Sequence, residues 1–261
     1  MKHLHIIFEF VFISILLCSC ANKTTVDTSL KYKTVSEAVK AGDCLAVKER
    51  ILKAPNLADE GDPYNEYNFT PLTYAIALRS DVEKNPSPGK NAKMYEDMVK
   101  MLIDMKAGIN TPLKKDGETP ITLAAARGQT DTVVLLLEKG IDIESKGTAG
   151  WTPLHQAVLG NHKDMVEFLI NKGAQVNTKD ANWGTPLLSA VAYDFKDIAE
   201  LLINKGADVN SVDIFNKTPL DYAILKNNKD MGKWLRSKGG KEKTPGPPDP
   251  AIAQKNLKKD K

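Results

Sequence analysis

"TPLHQAVLGNHKDMVEFLINKGAQVN", residues 152–177, decides the fold because it recurs. "TPLLSAVAYDFKDIAELLINKGADVN" (185–210) and "TPITLAAARGQTDTVVLLLEKGIDIE" (119–144) are versions of the same unit. Thr-Pro pairs stand at Thr119, Thr152, Thr185 and Thr218, 33 residues apart, and Gly140, Gly173, Gly206 and Gly239 keep that period. Self-similarity at a short fixed period marks a stack of supersecondary units. Within the unit, Thr is suited to cap a helix while Pro takes its first turn, where a missing N–H costs nothing. Small residues (Ala124, Ala125, Ala157, Ala190, Ala223) let neighbouring units approach closely. A second helix carries a wide apolar face, as in Met165, Val166, Phe168, Leu169 and Ile170. The repeated Gly ends it, since it tolerates a left-handed backbone.

These motifs resemble the ankyrin repeat, whose pattern runs TPLHxAxxxGH, an apolar helix, then GADVN. The resemblance implies an all-α solenoid of about six helix-turn-helix repeats with short β-turn or hairpin fingers. The repeats are expected at 34–69, 70–118, 119–151, 152–184, 185–217 and 218–240, together a domain of residues 34–240. The first is divergent and lacks Thr-Pro. The second carries 16 extra residues, most of them between its helices, where Pro86, Pro88 and Gly89 point to an inserted loop over 79–95. It also has Lys106 where the helix-ending Gly belongs.

Ahead of the repeats, Lys2 precedes an apolar stretch and then small residues, the order of an export signal. Its clean apolar part, Phe10 to Leu17, falls short of the ~20 residues a spanning helix needs. Leu17-Cys18-Ser19-Cys20 resembles a bacterial lipoprotein lipobox. That resemblance implies a signal peptide over 1–19, a lipidated Cys20 followed by a flexible tether over 20–33, and, with Ala21 next, a periplasm-facing lipoprotein of the outer membrane. Leu17 is too large to sit directly before a modified Cys18. Cys44 then remains alone, either a packing residue or a redox-sensitive thiol.

Residues 241–261 are rich in Pro and Lys and hold little to bury, the composition of a disordered tail. From Lys233 onward there are nine Lys or Arg against three Asp or Glu, whereas the whole chain is only +3. The basic balance therefore belongs to the tail, and it gives no reason to expect a nucleic-acid partner. The tail is either a solubilising end or a contact for anionic headgroups.

Nothing points to an enzyme. His155 and His162 fall in scaffold slots of the repeat, and no GxSxG, HExxH or phosphate-loop pattern occurs. No catalytic residue, metal, cofactor or small-molecule substrate is expected. By resemblance the chain binds another protein, through its finger tips and the exposed ends of its first helices. The tips carry Tyr67, Phe69, Trp151, Trp183 and Phe215; the helix ends carry Arg127, Leu159, Tyr193 and Lys226. Large aromatics dominate interface hot spots. The alternative is that they fold back and staple one finger to the next, and Trp183 occupies a slot usually held by Gly. Exported proteins of this type include immunity proteins that neutralise a toxin such as a lipase, and accessory proteins that support a periplasmic enzyme such as a catalase.

Overall fold

The computed structural model describes residues 31–58, 69–85, 90–113 and 117–243. The signal segment, Cys20, Tyr67 and residues 244–261 lie outside them. The described residues form twelve α-helices and no strand. They are α1 (Val35–Ala41), α2 (Cys44–Lys53), α3 (Pro71–Lys84), α4 (Ala92–Asp104), α5 (Pro120–Ala126), α6 (Thr130–Glu138), α7 (Pro153–Leu159), α8 (Lys163–Asn171), α9 (Pro186–Ala192), α10 (Lys196–Asn204), α11 (Pro219–Leu225) and α12 (Lys229–Ser237).

Thr starts these helices for the reason the sequence suggests. Thr70, Thr152, Thr185 and Thr218 accept the amide N–H three residues on, with Pro in the first turn. The divergent first repeat keeps the device without Pro: Thr34 caps α1, and Glu37 reaches back to the Thr34 amide. At the helix exits Gly140, Gly173, Gly206 and Gly239 have φ between 85° and 99°. Lys106 holds the same slot at φ 56°. The following amides close the same bonds there, Ala107 N–H to Leu102 O at 2.9 Å as Ala174 N–H to Leu169 O at 3.0 Å. The exit is therefore conserved in shape and strained in backbone.

The chain divides into two compact units, one of Met1–Pro120 with Val134–Ile141, the other of Ile121–Val133 with Asp142–Lys261. In the first, α1 packs on α2 and α3, and α3 on α4. The expected loop over 79–95 is largely helix instead: α3 runs on to Lys84, and α4 already begins at Ala92, capped by Asn91. Its residues enter the core. Ser80 and Val82 are buried, and fully buried Tyr95 donates its hydroxyl to the Lys40 carbonyl at 3.2 Å. The burial raises the Tyr95 pKa. Tyr95, Met98, Val99, Leu102 and Ile103 are spaced as one helical face, and they outweigh the Pro-Gly signal beside them. Cys44, the first residue of α2, is buried as well.

In the second unit, α7/α8, α9/α10 and α11/α12 are antiparallel pairs, and α7, α9 and α11 pack in succession. Val158, Ala190, Leu202 and Leu235 are among its buried core. Successive repeats are also clamped by asparagine. Asn177 accepts the Asp208 N–H at 2.8 Å and donates to the Gly206 carbonyl at 3.0 Å. Asn210 does the same to Lys241 N–H, at 2.8 Å, and the Gly239 carbonyl, at 3.2 Å. These are the Asn residues of the "VN" pairs, and each satisfies backbone groups around the next helix exit.

Candidate functional site

The fingers before Thr185 and Thr218 are built on aspartate. Asp180 Oδ1 accepts the Asn182 and Gly184 amides at 2.7 and 2.8 Å, and Asp213 Oδ1 accepts those of Phe215 and Lys217, both at 2.9 Å. A β-turn closes each finger, Trp183 N–H to Asp180 O at 3.1 Å and Asn216 N–H to Asp213 O at 3.0 Å. Adjacent fingers are joined by Ala181 N–H to Ala149 O (2.7 Å) and Ile214 N–H to Asn182 O (3.0 Å). The second bond links the residues immediately before Trp183 and Phe215, so those two side chains spring from neighbouring points.

The other oxygen of each aspartate ties the finger down. Asp180 Oδ2 accepts the indole N–H of Trp151 at 3.0 Å, and Asp213 Oδ2 accepts the Tyr222 hydroxyl at 2.5 Å. Burial, followed by the bond to Asp213, drives the Tyr222 pKa far up. Buried His155 bridges the same region. Its Nε2 donates to the Gly184 carbonyl at 3.2 Å, and Thr152 Oγ1 lies 3.0 Å from Nδ1. Burial lowers the pKa of this ring.

The tip aromatics do not share one slot. Phe69 and Trp151 stand one residue before their Thr, Trp183 two before and Phe215 three before. The slot sets the environment. Phe69 is half-buried and stacks on Tyr74, with centroids 5.5 Å apart, and Trp151 is half-buried on Asp180. Trp183 and Phe215 remain 41% and 66% exposed. Trp183 has φ 61°, in a slot where Gly117, Gly150 and Asn216 are likewise left-handed. A bulky residue there is an outlier. Lys179 Nζ sits 5.3 Å from its ring centroid.

The helix ends divide similarly. Arg127, Tyr193 and Lys226 share a slot that Gly160 fills in the repeat between; Leu159 is one position earlier, half-buried at the end of α7. Gly160 is needed there, since a Cβ would lie 2.6 Å from the Ala126 carbonyl oxygen, to which His162 Nε2 donates at 3.1 Å. In the next repeat Tyr193 and Phe195 replace Gly160 and His162 and stack at 5.9 Å, leaving Tyr193 60% exposed. Lys226 is exposed and Arg127 half-buried.

A family model for ankyrin repeats in three copies matches residues 90–180 and 179–245. The chain belongs to the ankyrin-repeat family. No curated protein matches it. The fold is thus an all-α ankyrin-repeat solenoid, and ankyrin repeats mark the chain as a protein-binding module; such proteins are in general not enzymes. Among the described residues no group of three or more His, Cys, Asp or Glu is placed to hold a metal, and no helix is long and apolar enough to cross a membrane. The signals missed by the sequence reading, Asp180, Asp213, Asn177 and Asn210, are polar residues of the ankyrin fingers whose partners are mostly backbone amides and carbonyls nearby or one repeat away.

Proposed function

We propose that this ankyrin module is tethered at the bacterial envelope through lipid on Cys20 and captures a toxin on its finger face, neutralising it. The observation that carries the binding face is Trp183. A large aromatic is kept half-exposed on a left-handed backbone that costs about 1–2 kcal/mol per non-glycine residue. Phe215 in the adjoining finger extends the exposed aromatic surface, and Tyr193 adds an exposed ring at the far end of α9. Trp183 and Phe215 are the anchors; Tyr193, Lys226 and Arg127, in one slot at the ends of the first helices, contribute to selectivity. Phe69 and Trp151 act as structural staples. The tether is supported by the lipobox-like Leu17-Cys18-Ser19-Cys20, and the toxin reading by analogy with exported ankyrin-repeat proteins, which include immunity proteins.

The test is capture from envelope extract, supplemented with the products of adjacent genes, on a soluble form beginning at Asn22. The captured protein is then assayed with and without the bait. Loss of its activity at one-to-one stoichiometry supports neutralisation; full activity in the complex contradicts it and assigns an accessory role. Labelling of cells with a fatty-acid analogue, lost in Cys20→Ala, tests the tether.

A further inference from the structure

The last repeat leaves apolar side chains exposed on its outer side. In α7 and α9 the residues Val158 and Val191 are buried, because the next repeat packs over them. Ile224 holds the same slot in α11 and is 45% exposed, with Leu225 beside it also exposed. Below it, Gly232 stands where the preceding second helices carry Val166 and Ala199. A Cβ at Gly232 would meet nothing closer than 3.6 Å, so its absence opens a notch. The result is a cleft of about 250 Å³, floored by Ala223, Ile224 and Gly232 and rimmed by Lys229, Lys233 and Arg236. That volume is below the ~300–1,000 Å³ typical of small-molecule sites, and it suits an inserted side chain.

Two of the three rim charges are particular to this end, since the Lys229 slot also holds Lys163 and Lys196. Lys233 replaces Glu167 and Glu200 of the two preceding repeats, and Arg236 replaces Ile170 and Ile203. The nearby acids are Asp230, Asp194, which accepts from Asn228 at 2.6 Å, and Glu242, paired with Arg236 at 2.6 Å. A terminal repeat that served only for solubility would have a polar outer face throughout. Here the apolar floor is retained, and the rim is made cationic.

We infer that this open end docks an acidic amphipathic helix of a partner protein, one apolar side chain filling the notch over Ile224 and Gly232, with carboxylates meeting Lys229, Lys233 and Arg236. A helix is the occupant because helices cover the equivalent slot in the preceding repeats. The chain's own residues beyond Lys243 are unsuited, with Lys255, Lys258, Lys259 and Lys261 against Asp249 and Asp260. This site is independent of the finger face.

The probe is an alanine-based helical peptide of about 18 residues, long enough to be helical, with a central Leu flanked by Glu three residues before and four after. It is titrated into the isotopically labelled full chain, following the Ile224 methyl and Gly232 amide resonances. Saturable shifts are expected at both, with affinity at least about tenfold weaker for the Glu→Gln peptide and for Lys233→Glu/Arg236→Glu. Thermal melting of that variant within a few degrees of wild type excludes unfolding as the cause. Equal affinity for the Gln peptide, or no shifts at millimolar peptide, overturns the inference. So does finding that these residues respond only to phosphatidylglycerol vesicles, or only to self-association abolished by Ile224→Glu.

Discussion

At Trp183 the usual order of substitutions should invert. Truncating a Trp to Gly is ordinarily worse than truncating it to Ala, and a buried Trp loses about 3–5 kcal/mol either way. Trp183 is 41% exposed with φ 61°, and its one described ring contact is Lys179 at 5.3 Å. Both truncations forfeit that contact, about 0.5–1 kcal/mol at an exposed site. Only glycine also releases the left-handed strain of about 1–2 kcal/mol, offset by about 0.4–1 kcal/mol of extra unfolded-state entropy. Trp183→Gly should therefore stay within about 1 kcal/mol of wild type and exceed Trp183→Ala by up to about 1.6 kcal/mol. Urea unfolding followed by circular dichroism reads the difference without relying on the indole removed. An Ala variant more stable than the Gly variant, or a Gly variant destabilised by several kcal/mol, would refute the reasoning. Trp183 would then be a packing residue.

Lys106→Gly places the residue used at four other helix exits onto φ 56° and should raise stability by about 1 kcal/mol, read as a higher urea midpoint. Asn210→Ala removes two bonds to the Lys241 amide and Gly239 carbonyl and should cost about 1–2 kcal/mol, with faster hydrogen exchange in α12. Burial lowers the His155 pKa in the native state, so as pH falls through the usual 6.5 the unfolded chain takes up a proton first. Its contribution is thus complete above about pH 6.5 and declines below it. Urea midpoints at pH 7.5 and 5.0 should show this fall, and a smaller one in His155→Gln.

The repeat was legible because its signals are local and periodic: Thr caps a helix three residues deep, and Gly ends one by its own backbone freedom. Lys106 shows that the stack dictates the exit even where the residue resists it. The 79–95 insertion was misread because Pro86, Pro88 and Gly89 dominate its middle, whereas Val82 and Tyr95 at its ends belong to helical faces. The binding face was legible as a set of aromatics but not in its division. The distance of each aromatic from its Thr distinguishes Trp151 from Trp183 and Phe215; that Trp151 is pinned depends on Asp180, 29 residues away. The hydrogen bonds of Asn177 and Asn210 lie about a repeat further on, where no local pattern reveals them.

On the proposed function, the exposed aromatics of the finger face hold the partner. The most direct measurement is the affinity of the captured protein for wild type and for Trp183→Gly/Phe215→Ala, a pair chosen to leave the stack intact. Binding should be at least about thirtyfold weaker, the loss of a hot spot of about 2 kcal/mol or more, with an unchanged melting profile. Unchanged affinity in the folded double variant would contradict it.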